Sequence, residues 1–170
     1  DIEKIYGKKR NPVVRINSSD GKLLANFGDL DSSFATYDHF PKHLVEAVIA
    51  TEDRRFFKHL GIDIYAIPRA MIANLSSDRI VQGASTITQQ LAKIMFLTPE
   101  RTLKRKIQEM LLAFRIESKL SKEEIFELYM NKAYFGSGNY GIMSASKNYF
   151  DKEVYELNLQ ESALLAGLLK

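Results

Sequence analysis

The chain contains no cysteine. That excludes disulfides, thiolate metal sites and a cysteine nucleophile, and it leaves the redox compartment open. Histidine is scarce, with three in 170 residues. His39 and His43 stand four apart, but Pro41 marks a helix start between them, so they read as surface residues and not as a metal pair. No apolar run approaches the roughly 20 residues of a membrane span, and no signal peptide opens the chain. Internal repeats and low-complexity segments are also missing. Neither sign of charge dominates: the net charge is +3 and the pI about 9.0. Such a balance does not argue for nucleic acid. It favours an anionic partner, such as a phosphate ligand or an acidic membrane surface. The chain starts at Asp1 and stops just after an apolar run, as expected of a domain excised from a longer protein.

What is present is ordinary for a globular chain, 45% apolar and 26% charged. At this length one domain is expected, large enough to bury roughly 70% of its unfolded surface. Residues 12–28 read as a small hairpin around the turn signal Ser18-Ser19-Asp20-Gly21. From Pro41 onward helices dominate. One is expected over residues 44–57, ended by His59-Leu60-Gly61, and Asp63 is placed to cap the next, which Pro68 kinks or restarts. Thr86-x-x-Gln89, Ser121-x-x-Glu124 and Asn158-x-x-Glu161 have capping-box spacing and open three further helices. A long helix is expected at about 100–119 and another at about 142–149. The class is mostly α with a minor β element.

Glu52 carries a charge where the pattern calls for an apolar side chain. At about 100° per residue, Leu44, Val45, Val48, Ile49 and Phe56 fall within an arc of roughly 140°. Glu52 projects near its middle, whereas Glu46 and Asp53 point elsewhere. A carboxylate among apolar groups loses hydration and its pKa rises, which suits proton transfer near neutral pH. The plainer reading is a helix end where Glu52 is solvated or paired with Arg55. The pattern weighs the two equally.

Glu109 is the second candidate carboxylate. On its helix the expected core stripe is Leu103, Ile107, Met110, Leu111 and Phe114, and Glu109 lies off it. Arg105 and Lys106 are its helical neighbours. By pattern alone a surface ion pair of small value is favoured. The surroundings are basic. From residue 98 to 122, Arg101, Lys104, Arg105, Lys106, Arg115, Lys119 and Lys122 face three glutamates. Such a run is usually a solvated face, and more pointedly a diphosphate cradle. Ser85, Thr86 and Gln90, with Lys93 one turn on, put hydroxyls, amides and free N–H groups at a helix N-terminus, a ready anion site. Plain capping explains the same residues.

Five blocks in order are far more specific. They are Glu52-Asp53-Arg54-Arg55-Phe56-Phe57-Lys58-His59-Leu60-Gly61, then Gly83-Ala84-Ser85-Thr86-Ile87-Thr88-Gln89-Gln90-Leu91-Ala92-Lys93, then Arg105-Lys106-Ile107-Gln108-Glu109 running on to Glu117. The fourth spans Glu124 to Phe150 through Tyr129-Met130-Asn131 and Tyr134-Phe135-Gly136, and the fifth is residues 159–168. With these, the chain resembles the peptidoglycan glycosyltransferase domain (glycosyltransferase family 51) of class A penicillin-binding proteins and monofunctional transglycosylases, over about residues 14–170. Departures are mild: Ile94 stands where the family usually has Asn, Met130 where it has Leu, and Asp151 where it has Gly.

The resemblance implies a lysozyme-like helical lobe and a smaller membrane-proximal jaw, here within about residues 64–85. Apolar Ile64, Tyr65, Ile67, Met71, Ile72 and Leu75 would touch lipid, and a transmembrane helix would precede Asp1. It places the catalytic domain on the outer or periplasmic face of the cytoplasmic membrane. The implied substrates are lipid II and the growing glycan chain, with moenomycin as an inhibitor on the donor side and no nucleic acid. A 4-hydroxyl of the acceptor sugar attacks the anomeric carbon of the growing chain, an α-linked diphosphate leaves, and a β-1,4 bond forms with inversion. Glu52 would be the base. Lys106 and Arg101 would stabilise the leaving group, with Lys93 and Gln90 on the donor's diphosphate or sugar. Glu109 would orient groups or help hold a divalent cation (Mg2+ or Mn2+). Ser85, Thr86, Asp53, His59 and Asn131 would shape the cleft. Two rivals remain: a muramidase or lytic transglycosylase, which needs no diphosphate site, and a non-catalytic binding module.

Overall fold

Local capping signals decide where most helices begin. The protein, as a computed structural model, is described over residues 34–66, 68, 85–97 and 102–169, with the backbone of two strands nearer the start. The strands β1 (Val14–Asn17) and β2 (Leu23–Phe27) pair antiparallel, Val14 opposite Phe27 and Ile16 opposite Ala25. Among the described residues six α-helices follow: α1 (Lys42–Glu52), α2 (Ile87–Phe96), α3 (Leu103–Glu117), α4 (Lys122–Lys132), α5 (Ile142–Phe150) and α6 (Leu159–Leu168). The described part is therefore mostly α. Arg101 and most of the expected jaw lie outside the described residues.

Reciprocal capping boxes form at Thr86–Gln89, Ser121–Glu124 and Asn158–Glu161. Each satisfies two orphan backbone donors, and a cap of this kind contributes about 1 kcal/mol. Thr102 caps α3 through its hydroxyl, which accepts from Arg105 N–H at 3.1 Å. That cap starts α3 three residues later than the pattern suggests. Asp63 accepts from Tyr65 N–H at 3.0 Å, the capping geometry expected of it.

α1 packs along α6, and α2 packs against both α3 and α4. The core between them holds Leu44, Val48, Phe56, Leu91, Phe126 and Leu165, all fully buried. Phe126 is met edge-on by Tyr37 and Phe40, with ring centroids 5.8 Å apart in both pairs. Such pairs add roughly 0.5–1.5 kcal/mol each to the area they bury. Asn131 ties the segment before α1 to α4: its amide accepts from Ala35 N–H at 3.0 Å and donates to Ala35 C=O at 2.8 Å.

Two sequence expectations fail here. The helix drawn over 44–57 stops at Glu52, because Asp53 turns away (φ −157°, ψ 80°) to use its carboxylate elsewhere; a short 3-10 turn, Phe56–Lys58, follows. The stripe assigned to the core of α3 is also wrong. Leu103 is 86% exposed and Ile107 59%, with Leu111 and Phe114 exposed too, while Glu109, Ala113 and Ile116 are buried. Hydrophobicity alone selects the face that is in fact exposed, because a carboxylate neutralised by its own helix can be turned inward.

Gly141 has no alternative at its turn. Its φ is +84°, and a Cβ there would stand 2.8 Å from Asn131 O. Asp151, the residue after α5, also sits in the left-handed region (φ 54°) without being glycine. This is the position where the resembled family usually has glycine. Asp151→Gly is expected to raise stability by roughly 0.5–1 kcal/mol, because glycine carries no steric penalty there. Equilibrium urea denaturation would read it; a destabilised variant would mean the Lys147–Asp151 ion pair outweighs backbone strain.

Candidate active site

The residues singled out in the first block are brought together by one buried acceptor. Asp53 is 7% exposed. Its carboxylate accepts from His59 Nε2 at 2.9 and 3.0 Å and from Ile87 N–H at 3.0 Å. Ile87 is the first residue of α2, so the carboxylate also meets the positive end of that helix. Gly61 N–H donates to His59 Nδ1 at 3.2 Å, which places the ring proton on Nε2. Thr86 Oγ1 donates to Gly61 C=O at 2.6 Å while accepting from Gln89 N–H at 3.1 Å. Gly61 must remain glycine: its φ is +88°, and a Cβ would lie 3.1 Å from the Ala113 carbonyl group of α3. The turn after α1 is thereby locked to α2 and pressed against α3.

This lock holds Glu52, the last residue of α1, beside the fourth residue of α2. Gln90 Nε2 donates to Glu52 Oε2 at 2.7 Å, and Tyr129 of α4 donates its phenol proton to Gln90 Oε1 at 3.1 Å. Glu52 is half-buried. Burial raises its pKa above the ordinary carboxylate value, the Gln90 hydrogen bond opposes that rise, and the Asp53 charge adds to it. Arg55 does not neutralise Glu52. It reaches Asp63 at 3.5 Å and stacks on the Tyr65 ring at 4.2 Å. The solvated or Arg55-paired reading of Glu52 is thus set aside.

Glu109 is 3% exposed, so it is not half of a surface pair. Arg105 Nη1 donates to its Oε2 at 2.7 Å and Lys106 Nζ to its Oε1. Lys106 Nζ also donates to Ser85 Oγ at 3.0 Å, which carries the cluster to the start of α2. Arg105 Nε is buried without an acceptor, whereas Lys106 is partly exposed. Since Arg105 and Lys106 occupy both oxygens, Glu109 is poorly suited to ligate a divalent cation. Among the described residues no three His, Asp or Glu side chains group as metal ligands.

Other expected residues fall into place less centrally. Lys93 is exposed on α2. Asn131 spends its amide on Ala35 and Glu127 C=O. Gln90 is engaged at both ends of its amide, on Glu52 and on Tyr129. Sequence reasoning missed Tyr129 as a site residue, and it missed the Thr88–Glu117–Lys122 cluster. Thr88 Oγ1 donates to Glu117 at 2.6 Å and Lys122 Nζ donates to the same oxygen at 2.7 Å. That cluster ties the ends of α2, α3 and α4 behind the site.

The family model described as Transglycosylase matches residues 20–170. Penicillin-binding protein 1A of Aquifex aeolicus is 52% identical over 155 residues, 91% of this chain and 21% of that protein. Penicillin-binding protein 1A of Escherichia coli (strain K12) is 51% identical over 170 residues, 100% of this chain and 20% of that protein. The Vibrio cholerae protein of the same name is 50% identical over the same span and share of this chain, and 21% of its own length is covered. The chain spans about a fifth of the length of these curated relatives. Among the described residues no helix is long and apolar enough to cross a membrane.

The raised pKa of Glu52 has a consequence for stability. The folded state binds that proton more tightly than the unfolded chain, so stability is lost as pH rises from the ordinary carboxylate value through the raised one. Glu52→Gln removes that loss. Its thermal midpoint is expected to exceed the parent's at pH 7 and to converge with it at low pH, where Glu52 is protonated in both states. Calorimetry across pH checks this, and a lower midpoint at pH 7 would contradict it.

Proposed function

Because the chain belongs to the transglycosylase family, we propose that it is a peptidoglycan glycosyltransferase of bacterial cell wall synthesis. It polymerises lipid II into β-1,4-linked glycan with inversion and releases undecaprenyl diphosphate. The observation that carries this reading is a half-buried carboxylate of raised pKa, Glu52, held by a neutral amide one turn into α2, with a basic cluster reaching the start of the same helix.

The roles follow from those surroundings. A sugar 4-hydroxyl is a poor nucleophile and needs a base. Glu52 takes its proton as the oxygen attacks the anomeric carbon, and the electron pair of the breaking C–O bond leaves on the diphosphate. Lys106, partly exposed and already pointing a donor toward Ser85, stabilises that charge. Glu109 keeps Lys106 oriented. Lys93, Arg101, Ser85 and Thr86 contribute to donor binding, while Asp53, His59 and Asn131 shape the cleft. The domain comprises residues 1–170, with a lysozyme-like helical lobe and a jaw at about 64–85. Exposed Ile64 and Tyr65 suit contact with the membrane surface. In the parent protein the domain works at the outer or periplasmic face of the cytoplasmic membrane, and moenomycin competes for the donor side. A muramidase would need no basic cluster around Glu109.

Incubation with labelled lipid II, with and without moenomycin, tests the activity. Glu52→Gln is expected to lose polymerisation by about a hundredfold or more while its fold persists. Glycan synthesis at near the parent's rate in that variant would sink the base assignment. Lys106→Ala is expected to lower kcat by about a hundredfold with a smaller change in KM. A change confined to KM would assign Lys106 to ground-state binding instead.

A further inference from the structure

Gln90 is a primary amide, and the two ends of such a group are nearly the same size. Rotation by half a turn would exchange its donor and acceptor. An ionised Glu52 can only accept, so it requires the NH2 end. Once protonated, Glu52 could instead donate to the amide oxygen, and a freely turning amide would then stabilise the acid as readily as the base. In this fold the amide is not free. Tyr129 of α4 is 1% exposed, and its hydroxyl lies 3.1 Å from Gln90 Oε1. We propose that Tyr129 is a positioning residue for the base: its phenol holds the Gln90 amide with NH2 toward Glu52, and so favours the ionised form that accepts the sugar proton.

Three observations agree with this. Burial and the neighbouring Glu52 charge both push the Tyr129 pKa up, so the phenol keeps its proton throughout the working range, and among the described residues Gln90 Oε1 is the acceptor that proton finds, which a flipped amide would leave unpaired. The Gln90 hydrogen bond acts on Glu52 in the direction of ionisation. The three residues come from α1, α2 and α4, so the orientation is imposed by the fold and not by one flexible loop. Among the described residues, the charged group that acts on Glu52 is Asp53 beside it, and Glu52 in turn acts on Tyr129. From α2 the nearest cation along the helix is exposed Lys93. α6, packed along α1, carries only Glu161, which is paired with Lys152.

The inference rests on the reading of Glu52 as base, and the experiment separates the two. The pH dependence of kcat/KM for glycan synthesis would be measured in the parent, Tyr129→Phe, Gln90→Ala, the double variant and Glu52→Gln. Tyr129→Phe is expected to lose turnover about three- to tenfold on the acid side and to recover as pH rises, with its acid limb displaced upward. Gln90→Ala, which leaves the core side chain untouched, is expected to show the same displacement, and adding Tyr129→Phe to it to shift the limb no further. An equal loss at every pH, or an unchanged profile, with Glu52→Gln inactive would overturn the positioning role alone. Turnover in Glu52→Gln would overturn the base and this inference with it.

Discussion

The candidate site depends on the buried carboxylate of Asp53. It accepts from a histidine on the turn after α1 and from the first backbone N–H of α2. A charge taken out of water costs several kcal/mol unless every lone pair is used and the partners are well placed. Here the helix end and the histidine supply those partners, and in doing so they end α1 at Glu52. One more regular turn of α1 would carry Asp53 away from α2. The Thr86–Gly61 hydrogen bond adds a second tie between the same segments, and the glycine lets α3 approach. Glu52 is thus held by its neighbour's needs as much as by its own contacts.

Glu52 and Glu109 then illustrate how partner choice sets chemistry. Both are glutamates on helices, and both are wholly or partly buried. Glu52 meets a neutral amide and a neighbouring negative charge, so burial dominates and its proton affinity rises. Glu109 meets a guanidinium and an ammonium on its own helix. Its charge is matched in place, and it serves to hold two cations toward the start of α2. One environment favours moving a proton, and the other favours presenting positive charge.

Much of this was legible in the sequence where the determinants are local. The three capping boxes lie within four residues each, so their spacing alone locates α2, α4 and α6. The misfit of Glu52 in an apolar arc is likewise a property of thirteen consecutive residues, 44–56. What could not be read is what depends on partners distant in sequence. The end of α1 is decided by Ile87, 34 residues on. The buried face of α3 is the one that packs against α2 and the Gly61 turn, whereas hydrophobic periodicity points to the opposite, exposed side. The resemblance puts Gln90 on the donor, yet its amide is engaged by residues 38 and 39 positions away. Tyr129 gave no signal beyond an aromatic at a core position, because only the location of its hydroxyl distinguishes it from phenylalanine.

The central claim is that Glu52 is a base whose proton affinity has been raised by its surroundings. Direct titration of its side-chain carboxyl in the folded protein, by carbon-detected NMR with labelled glutamate, tests this most closely when set against the acid limb of glycan synthesis. The account predicts that Glu52 titrates above the ordinary carboxylate range and that its midpoint coincides with that limb. A carboxyl titrating in the ordinary range, or a limb that follows some other group, would contradict it.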